Sequence, residues 1–437
     1  IANCQHLQDM QDDVGAHYEL VGNIDCSGTK FDPVGNNETG FTGSLDGQHN
    51  IIWNLEIDGA VDENVGLIAR NEGTLKNVKI QGAEVYGENK NGGILAAENV
   101  GGVINRSMVT GIIDVPSSTV DGGYGTRVGG MVGTTRSGGI ITESYAVAYV
   151  DSQVQGGLAG ALTDSSTEIR RSYAAGQVTT DGYPAGGGGM VGDVIDGSVR
   201  ESYGASYLVN PDPDSSDGGL AGVQRFGGSV TDGYYNQNVS GLDGDDGNSS
   251  IGGTANPGTN LTTRMMTDTS NSDMSGFDFT TTWESTSFYY PKLSWQEVGS
   301  GTSGDPYMIE DCRQLQAMQN DLNAHYRLAN DIDCSLTEYW NDGKGFDPVG
   351  DSSSRFNGVL NGAGHVIYNL TINRSGTSEE VGLFGYMTSN ADINRVRKLG
   401  LENVDITGET DVGGIIGQND HNRETIRKSY VTGNISG

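Results

Sequence analysis

The chain is expected to be all-β and folded as a parallel β-solenoid (β-helix), and three observations point there. Only 35% of its 437 residues are hydrophobic while 69 are glycine, which suits short stacked strands and many turns better than one large globular core. Landmarks return about every thirty residues, as in "VGGMVGTTRSGGIITESYAV" from Val128, "QGGLAGALTDSSTEIRRSYAA" from Gln155 and "DGGLAGVQRFGGSVTDGYYNQ" from Asp217. A cysteine-bearing segment introduces such repeats twice, "IANCQHLQDMQDDVGAHYELVGNIDCS" at the start and "IEDCRQLQAMQNDLNAHYRLANDIDCS" from Ile309.

Residues 1–58 form the first expected module, a small α+β cap that covers the open end of a stacked core. Leu7 and Met10 stand three apart, as on a short amphipathic helix. The stretch "HYELVGNIDC" reads as a strand, and "FTGSLDGQHNIIWNLEI" as strand, turn, strand. The matched second cap is assigned to 301–374. Because the first cap lacks the "GTSGDPYM" that precedes the second, the chain reads as an excerpt of a longer polypeptide.

The first array is placed at 59–240. Aligned on the second glycine of each motif, its copies fall at Gly66, Gly93, Gly130, Gly157, Gly189 and Gly219, with intervals of 27, 37, 27, 32 and 30 residues. Ser107, Ser144, Ser172 and Ser202, with Gly233 in the last copy, follow those glycines by 13 to 15 positions. Two landmarks in fixed phase define a unit that cannot bury its apolar face alone and stacks in parallel to do so. Leu158, Met190 and Leu220 are expected to form one internal apolar ladder, and Tyr145, Tyr173 and Tyr203 a second file. Residues 241–300 form a closing segment and linker, rich in aromatics (Phe277, Phe279, Trp283, Phe288, Tyr289, Tyr290, Trp295) that are expected to close the end of the solenoid rather than bind sugar. A second, truncated array, 375–437, carries the motif at Gly382 and Gly414.

The stretches "GGLAG" (Gly156 to Gly160, Gly218 to Gly222), "GGMVG", "VGLFG" and "GGIIG" resemble the GLUG motif of bacterial and archaeal cell-surface proteins. The resemblance spans about three-quarters of the chain. It implies a long, secreted, repetitive protein of a kind that includes some adhesins and extracellular peptidases. It brings no catalytic residues with it.

Charge narrows the partners. With 57 acidic against 25 basic residues the net charge is −32, which disfavours nucleic acid and anionic membrane surfaces and matches the acidic composition of halophilic proteins. No segment reaches the roughly 20 apolar residues of a membrane helix, so no membrane insertion is expected. Cys4 and Cys26 lie 22 apart, as do Cys312 and Cys334; of the three connectivities open to four cysteines, two local disulfides are the simplest. Disulfides and eight N-x-S/T sequons, at Asn37, Asn105, Asn238, Asn248, Asn260, Asn369, Asn373 and Asn434, place the chain outside the cell, with exposed turns as the first glycosylation candidates.

No nucleophile elbow, P-loop or zinc-protease motif occurs, and a zinc site has no support in the spacing of His6, His17 and His325. No cofactor is required; Asp243, Asp245 and Asp246 in "DGDDGN" are weak candidates for a structural calcium, with "NPDPDSSDGG" a second acidic loop. The expected function is non-catalytic: an extracellular structural or adhesive segment of a surface, filament or appendage protein. It would display loops and glycans toward other surface proteins or cell-surface glycans, or assemble with itself. Insertions such as "PSSTVDGGYGTR" (Pro116 to Arg127) are the expected recognition surfaces. Two alternatives carry predictions of their own: a virus receptor-binding fibre, which would be trimeric, and a polysaccharide lyase or glycosidase, which needs paired carboxylates in a groove.

Overall fold

The computed structural model describes residues 1–437 other than 62–63, 89, 117–125, 180–186, 210–216, 241, 243–248, 252–257, 268–269, 286–288, 297–298, 342, 377–379, 389–394 and 421–425. The chain forms two compact units, Ile1–Ser285 and Thr286–Gly437. Each is a parallel β-solenoid of short strands with few helical turns.

One coil of the first unit shows how the repeat folds. Strand Arg127–Gly129 leads through a tight turn into Val132–Arg136; a corner follows, then Ile140–Thr142, a second corner, and Tyr145–Asp151. Each strand pairs in parallel with its counterparts in the coils before and after it. Same-position side chains therefore stack into files. Leu45, Leu75, Ile104, Ile141, Ile169, Val199 and Val230 form one buried file. Ile57, Val85, Ile113, Val150, Val178 and Leu208 form another. Burying each such side chain contributes about 1.5–3 kcal/mol, so the lumen is the main source of stability despite the low hydrophobic content.

The expected ladder is present: the Met131 amide donates to the Leu158 carbonyl at 2.9 Å, Leu158 to Met190 at 2.8 Å and Met190 to Leu220 at 3.0 Å, and all four side chains are fully buried. The glycines beside it are required by contact. A Cβ on Gly157 would lie 2.4 Å from the Gly189 carbonyl oxygen, and one on Gly160 would lie 2.6 Å from both the Gly133 oxygen and the Val128 nitrogen. The Gly-Gly-apolar-small-Gly motif is thus a turn so tight that neighbouring backbones occupy the side-chain positions.

Ser-Tyr marks the second corner. The residue before the serine is left-handed in every copy, with φ of 50° at Arg106, 48° at Glu143, 50° at Arg171 and 46° at Glu201. Each buried serine hydroxyl stitches coils together: Ser144 Oγ accepts from the Ser107 amide at 3.1 Å, Ser172 Oγ from Ser144 at 3.2 Å and Ser202 Oγ from Ser172 at 3.2 Å. The same hydroxyls donate back to the carbonyl two residues earlier. Ser429 does likewise in the second unit, accepting from Leu399 at 3.1 Å.

Two details refine the sequence reading. "HYELVGNIDC" is not one strand but two, His17–Glu19 and Ile24–Asp25, because the chain turns a solenoid corner at exposed Val21; the second cap divides the same way. Both cap strands stack directly on the following coil, through Tyr18 on Leu45 and Ile24 on Ile52. The Tyr145, Tyr173 and Tyr203 file lies on the outer side of its strands, since the alternate residues Ala146, Ala148 and Val150 belong to the core cluster. Its rings stack at 4.6 and 4.8 Å, and Trp283 and Phe277 cover them, with Trp283 5.6 Å from Tyr203. The aromatic segment therefore packs on the flank of the first unit, against tyrosines of successive coils, rather than closing its end as expected, while Tyr289 joins the core of the second. Phe288 lies outside the described residues.

Both helical caps form as short α-helices, Cys4–Gln8 and Cys312–Gln316, each followed by a 3-10 turn that buries Met10 or Met318. Disulfides join Cys4 to Cys26 and Cys312 to Cys334, with Cα atoms 5.3 and 5.4 Å apart.

Candidate functional site

The strand register places the variation between repeats. Tyr86, Asp114 and Asp151 share one position on successive coils, as do Thr179 and Val209. From that position to the second glycine of the next motif the spacing is 7, 16, 6, 10 and 10 residues in the five successive copies. The other two legs of the coil vary by only a few residues. Length differences among the repeats thus collect at one corner, where strands end at Asp114, Asp151, Thr179 and Val209 and resume at Arg127, Val154 and Gly187. Residues 117–125, within the "PSSTVDGGYGTR" insertion, and 210–216, within the second acidic loop, lie outside the described residues.

The strand ends beside this corner are polar and aromatic. Asp114 and Asp151 oppose each other on neighbouring strands, and the Tyr149 hydroxyl reaches Asp151 at 3.4 Å while accepting from Thr179 at 3.1 Å. Burial raises the Asp114 carboxyl above the usual carboxylate range.

The Ser-Tyr corner carries a second surface feature, absent from the sequence reading. On four successive coils its left-handed residues carry charges of alternating sign, until Asp232 follows Glu201: Arg106 pairs with Glu143 at 2.9 Å and Arg171 with Glu201 at 3.0 Å. One position earlier, Glu168 meets Arg170 at 3.0 Å and Arg200 at 3.4 Å. The signal was available, since a charged residue precedes each of these serines, but its sign pattern acquires meaning only once the coils are stacked.

The glycosylation candidates separate by setting. Asn37, Asn238 and Asn373 are exposed, and in Asn238 and Asn373 the side-chain oxygen rather than the amide nitrogen is engaged. Asn434 is exposed but donates to Asp405 at 3.0 Å. Asn260 and Asn369 are half-buried and donate to Gln237 and Asp333, and Asn105 sits within a strand with its oxygen buried. Asn248 lies outside the described residues, as do the calcium candidates Asp243, Asp245 and Asp246. Among the described residues no group of three or more His, Cys, Asp or Glu side chains is placed to hold a metal ion.

A polar cleft of about 520 Å³ lies on the first cap, lined by Gln11, Asp32, Asn36, Asn37, Glu38 and Asn64 among others. Of the histidines, His17 meets Ser44 Oγ at 2.9 Å and His365 meets Asp331 at 3.0 Å; the latter aspartate also accepts the Val366 amide, which marks a structural role at a corner. Among the described residues no helix is long and apolar enough to cross a membrane.

Comparison with known proteins gives relatives of part of much longer chains. Halomucin of Haloquadratum walsbyi is 30% identical across 99% of this chain, which spans only 6% of that protein. A Gly-rich membrane protein of Evansella cellulosilytica is 39% identical over 127 residues, 28% of this chain and 14% of its own length. An immunoglobulin A1 protease of Streptococcus pneumoniae is 29% identical over 45% of this chain and 11% of its own. Among solved structures, one assigned to an immunoglobulin A1 protease of Bacteroides ovatus superposes with a TM-score of 0.52 and 20% identity, over 68% of this chain and 92% of that one. At that identity the likeness is one of fold. No protein-family model matches the chain.

Proposed function

We propose that this chain is a segment of a long extracellular polypeptide, a solenoid scaffold of the GLUG-repeat kind with a structural or adhesive role at the cell surface. The observation that carries the reading is the collection of repeat-length variation at one corner of the first unit, against buried files that run on through its coils. A scaffold under that arrangement can change what it displays without disturbing its core. The similarity to halomucin along nearly the whole chain, and to a Gly-rich membrane protein, supports a surface location. Two disulfides fit an oxidising compartment. Asn37, Asn238 and Asn373 are the glycan sites that the geometry favours, and the partners proposed are other surface proteins, surface glycans or further copies of the chain.

The test exchanges residues 117–125 and 210–216 for the corresponding short corner at 152–153. The variants should keep the melting temperature of the parent while losing adhesion to the parent's target cells. Adhesion that survives both exchanges would remove the corner from the account.

A second reading has an observation behind it: the partial match to immunoglobulin A1 proteases of Streptococcus pneumoniae. On that reading the solenoid is a spacer within a large secreted enzyme whose chemistry lies elsewhere in the polypeptide. Proteolytic turnover by the intact polypeptide, unaffected by substitutions in this segment, would favour it.

A further inference from the structure

Four Asp-Pro bonds occur in the chain, and one of them is held unlike its described counterparts. Asp32–Pro33 and Asp347–Pro348 belong to the two caps, and Asp212–Pro213 lies outside the described residues. The fourth, Asp305–Pro306, closes a loop immediately before strand Tyr307–Ile309. Two backbone amides converge on the Asp305 carbonyl oxygen, from Ser300 at 3.0 Å and Thr302 at 3.1 Å, with the Ser300 hydroxyl at 3.4 Å. Between those amides Gly301 is left-handed with φ of 75°, and Gly299, with φ of 71°, lies so close that a Cβ would sit 2.0 Å from the Pro306 carbonyl oxygen. Amides gathered around a left-handed residue form a concavity that favours negative charge on the atom it encloses. The loop is pinned, since the His325 amide donates to the Gly301 carbonyl at 2.8 Å and a Cβ on Gly301 would meet the buried Tyr307 ring at 2.4 Å.

The Asp305 side chain is exposed, and among the described residues no group pairs with its carboxylate. The two cap bonds are held differently. The Asp32 carbonyl accepts from the Gln8 side-chain amide at 3.0 Å and the Asp347 carbonyl from that of Gln316 at 2.9 Å, and Arg374 occupies the Asp347 carboxylate.

We propose that Asp305–Pro306 is a self-cleavage site, with Asp305 as nucleophile and the Ser300 and Thr302 amides as its oxyanion hole. A carboxylate oxygen of Asp305 adds to the carbonyl carbon of the same residue, closing a five-membered ring and putting the developing oxyanion on the two amides, which already stand at the distance that stabilises it. The C–N bond to Pro306 breaks and a solvent proton goes to the proline nitrogen, so the reaction runs in mild acid. Water then opens the cyclic anhydride. The sum is one water added across the bond: Asp305 ends the upstream piece with both carboxyl groups, and Pro306 begins the downstream piece as a secondary amine. Tyr289, in the core of the second unit, stays on the upstream piece, and Tyr307–Ile309 keeps its pairing with His325–Leu328, so the nicked unit holds together until it is denatured. Neither disulfide spans the bond. The proposal adds an activity to the surface reading and does not rest on it.

The experiment incubates the full chain at about pH 4 with protease inhibitors, folded or in urea, and follows cleavage by intact-mass spectrometry and N-terminal sequencing. The variants are D305E, which keeps the charge but lengthens the ring to be closed, and G301A, which opens the loop; circular dichroism confirms that both keep the parent's fold. In the folded parent, cleavage before Pro306 should outrun cleavage before Pro33 and Pro348 at least about tenfold, well inside the ~10²–10³-fold that one oxyanion-hole donor supplies in an enzyme. In urea the three rates should converge. D305E should lose the cut and G301A should slow it. Equal rates at the three bonds of the folded parent, a preference for Pro306 that persists in urea, or undiminished cleavage in D305E overturns the proposal. G301A cutting as fast as the parent overturns the role of the loop amides.

Discussion

Replacing Ser172 by alanine isolates the stitch that the Ser-Tyr motif provides. Ser172 Oγ accepts the Ser144 amide at 3.2 Å and donates to the Arg170 carbonyl at 2.9 Å, with the side chain fully buried. The carbonyl keeps a partner in the variant, because the Glu143 amide also donates to it at 3.2 Å. The Ser144 amide does not, so S172A leaves one buried donor unsatisfied, a cost of about 1–3 kcal/mol. Urea unfolding of the full chain, followed by tryptophan fluorescence, should show the midpoint falling accordingly with an unchanged slope. Hydrogen exchange of a peptide spanning residues 143–146 should speed up by a matching factor. Ser166, exposed in a turn and bonded only within it, serves as the control, and S166A should stay within ~0.5 kcal/mol of the parent. A cost for S172A no larger than that of S166A would refute the stitch.

Two further outcomes follow from the packing. Asp311 caps the second helix through the Gln314 amide at 2.8 Å, and burial pushes its carboxyl up to about 6, whereas the first cap uses Asn3 at the equivalent place. A folded-state value above the unfolded ~3.9 makes this group's stability contribution full below about pH 4 and lost as the pH rises through 6, up to ~3 kcal/mol in all; D311N should abolish that loss, and identical pH profiles for the two proteins would contradict the assignment. Trp283 is 1% exposed and stacks on Phe277 at 4.5 Å over the tyrosine file. W283A should cost about 3–5 kcal/mol and bare an aromatic flank, read as dye binding or self-association on a sizing column; a monodisperse variant of parental stability would show that the segment does not seal the file.

Much of the fold was legible because parallel stacking copies itself into the sequence. Each coil must place a buried residue at Leu158, a tight turn at Gly160 and a hydroxyl at Ser172, so the motif repeats with the structure. The cysteine pairs were legible for the same reason, from one duplicated spacing. What escaped was whatever depends on which coil lies next to which. The alternation of Arg106, Glu143, Arg171 and Glu201, and its end at Asp232, is invisible until register brings residues about thirty apart into contact. The outward direction of the tyrosine file escaped as well, because a strand covered on its outer face by a distant aromatic segment is apolar on both sides and its period-two pattern no longer tells inside from outside.

The measurement that tests the central claim most directly is the labelling of intact cells that express the whole polypeptide, using antibodies raised against the folded first unit. An extracellular scaffold should be labelled on unpermeabilised cells, with the signal lost after treatment with an external protease. Labelling that appears only after permeabilisation would contradict the surface role.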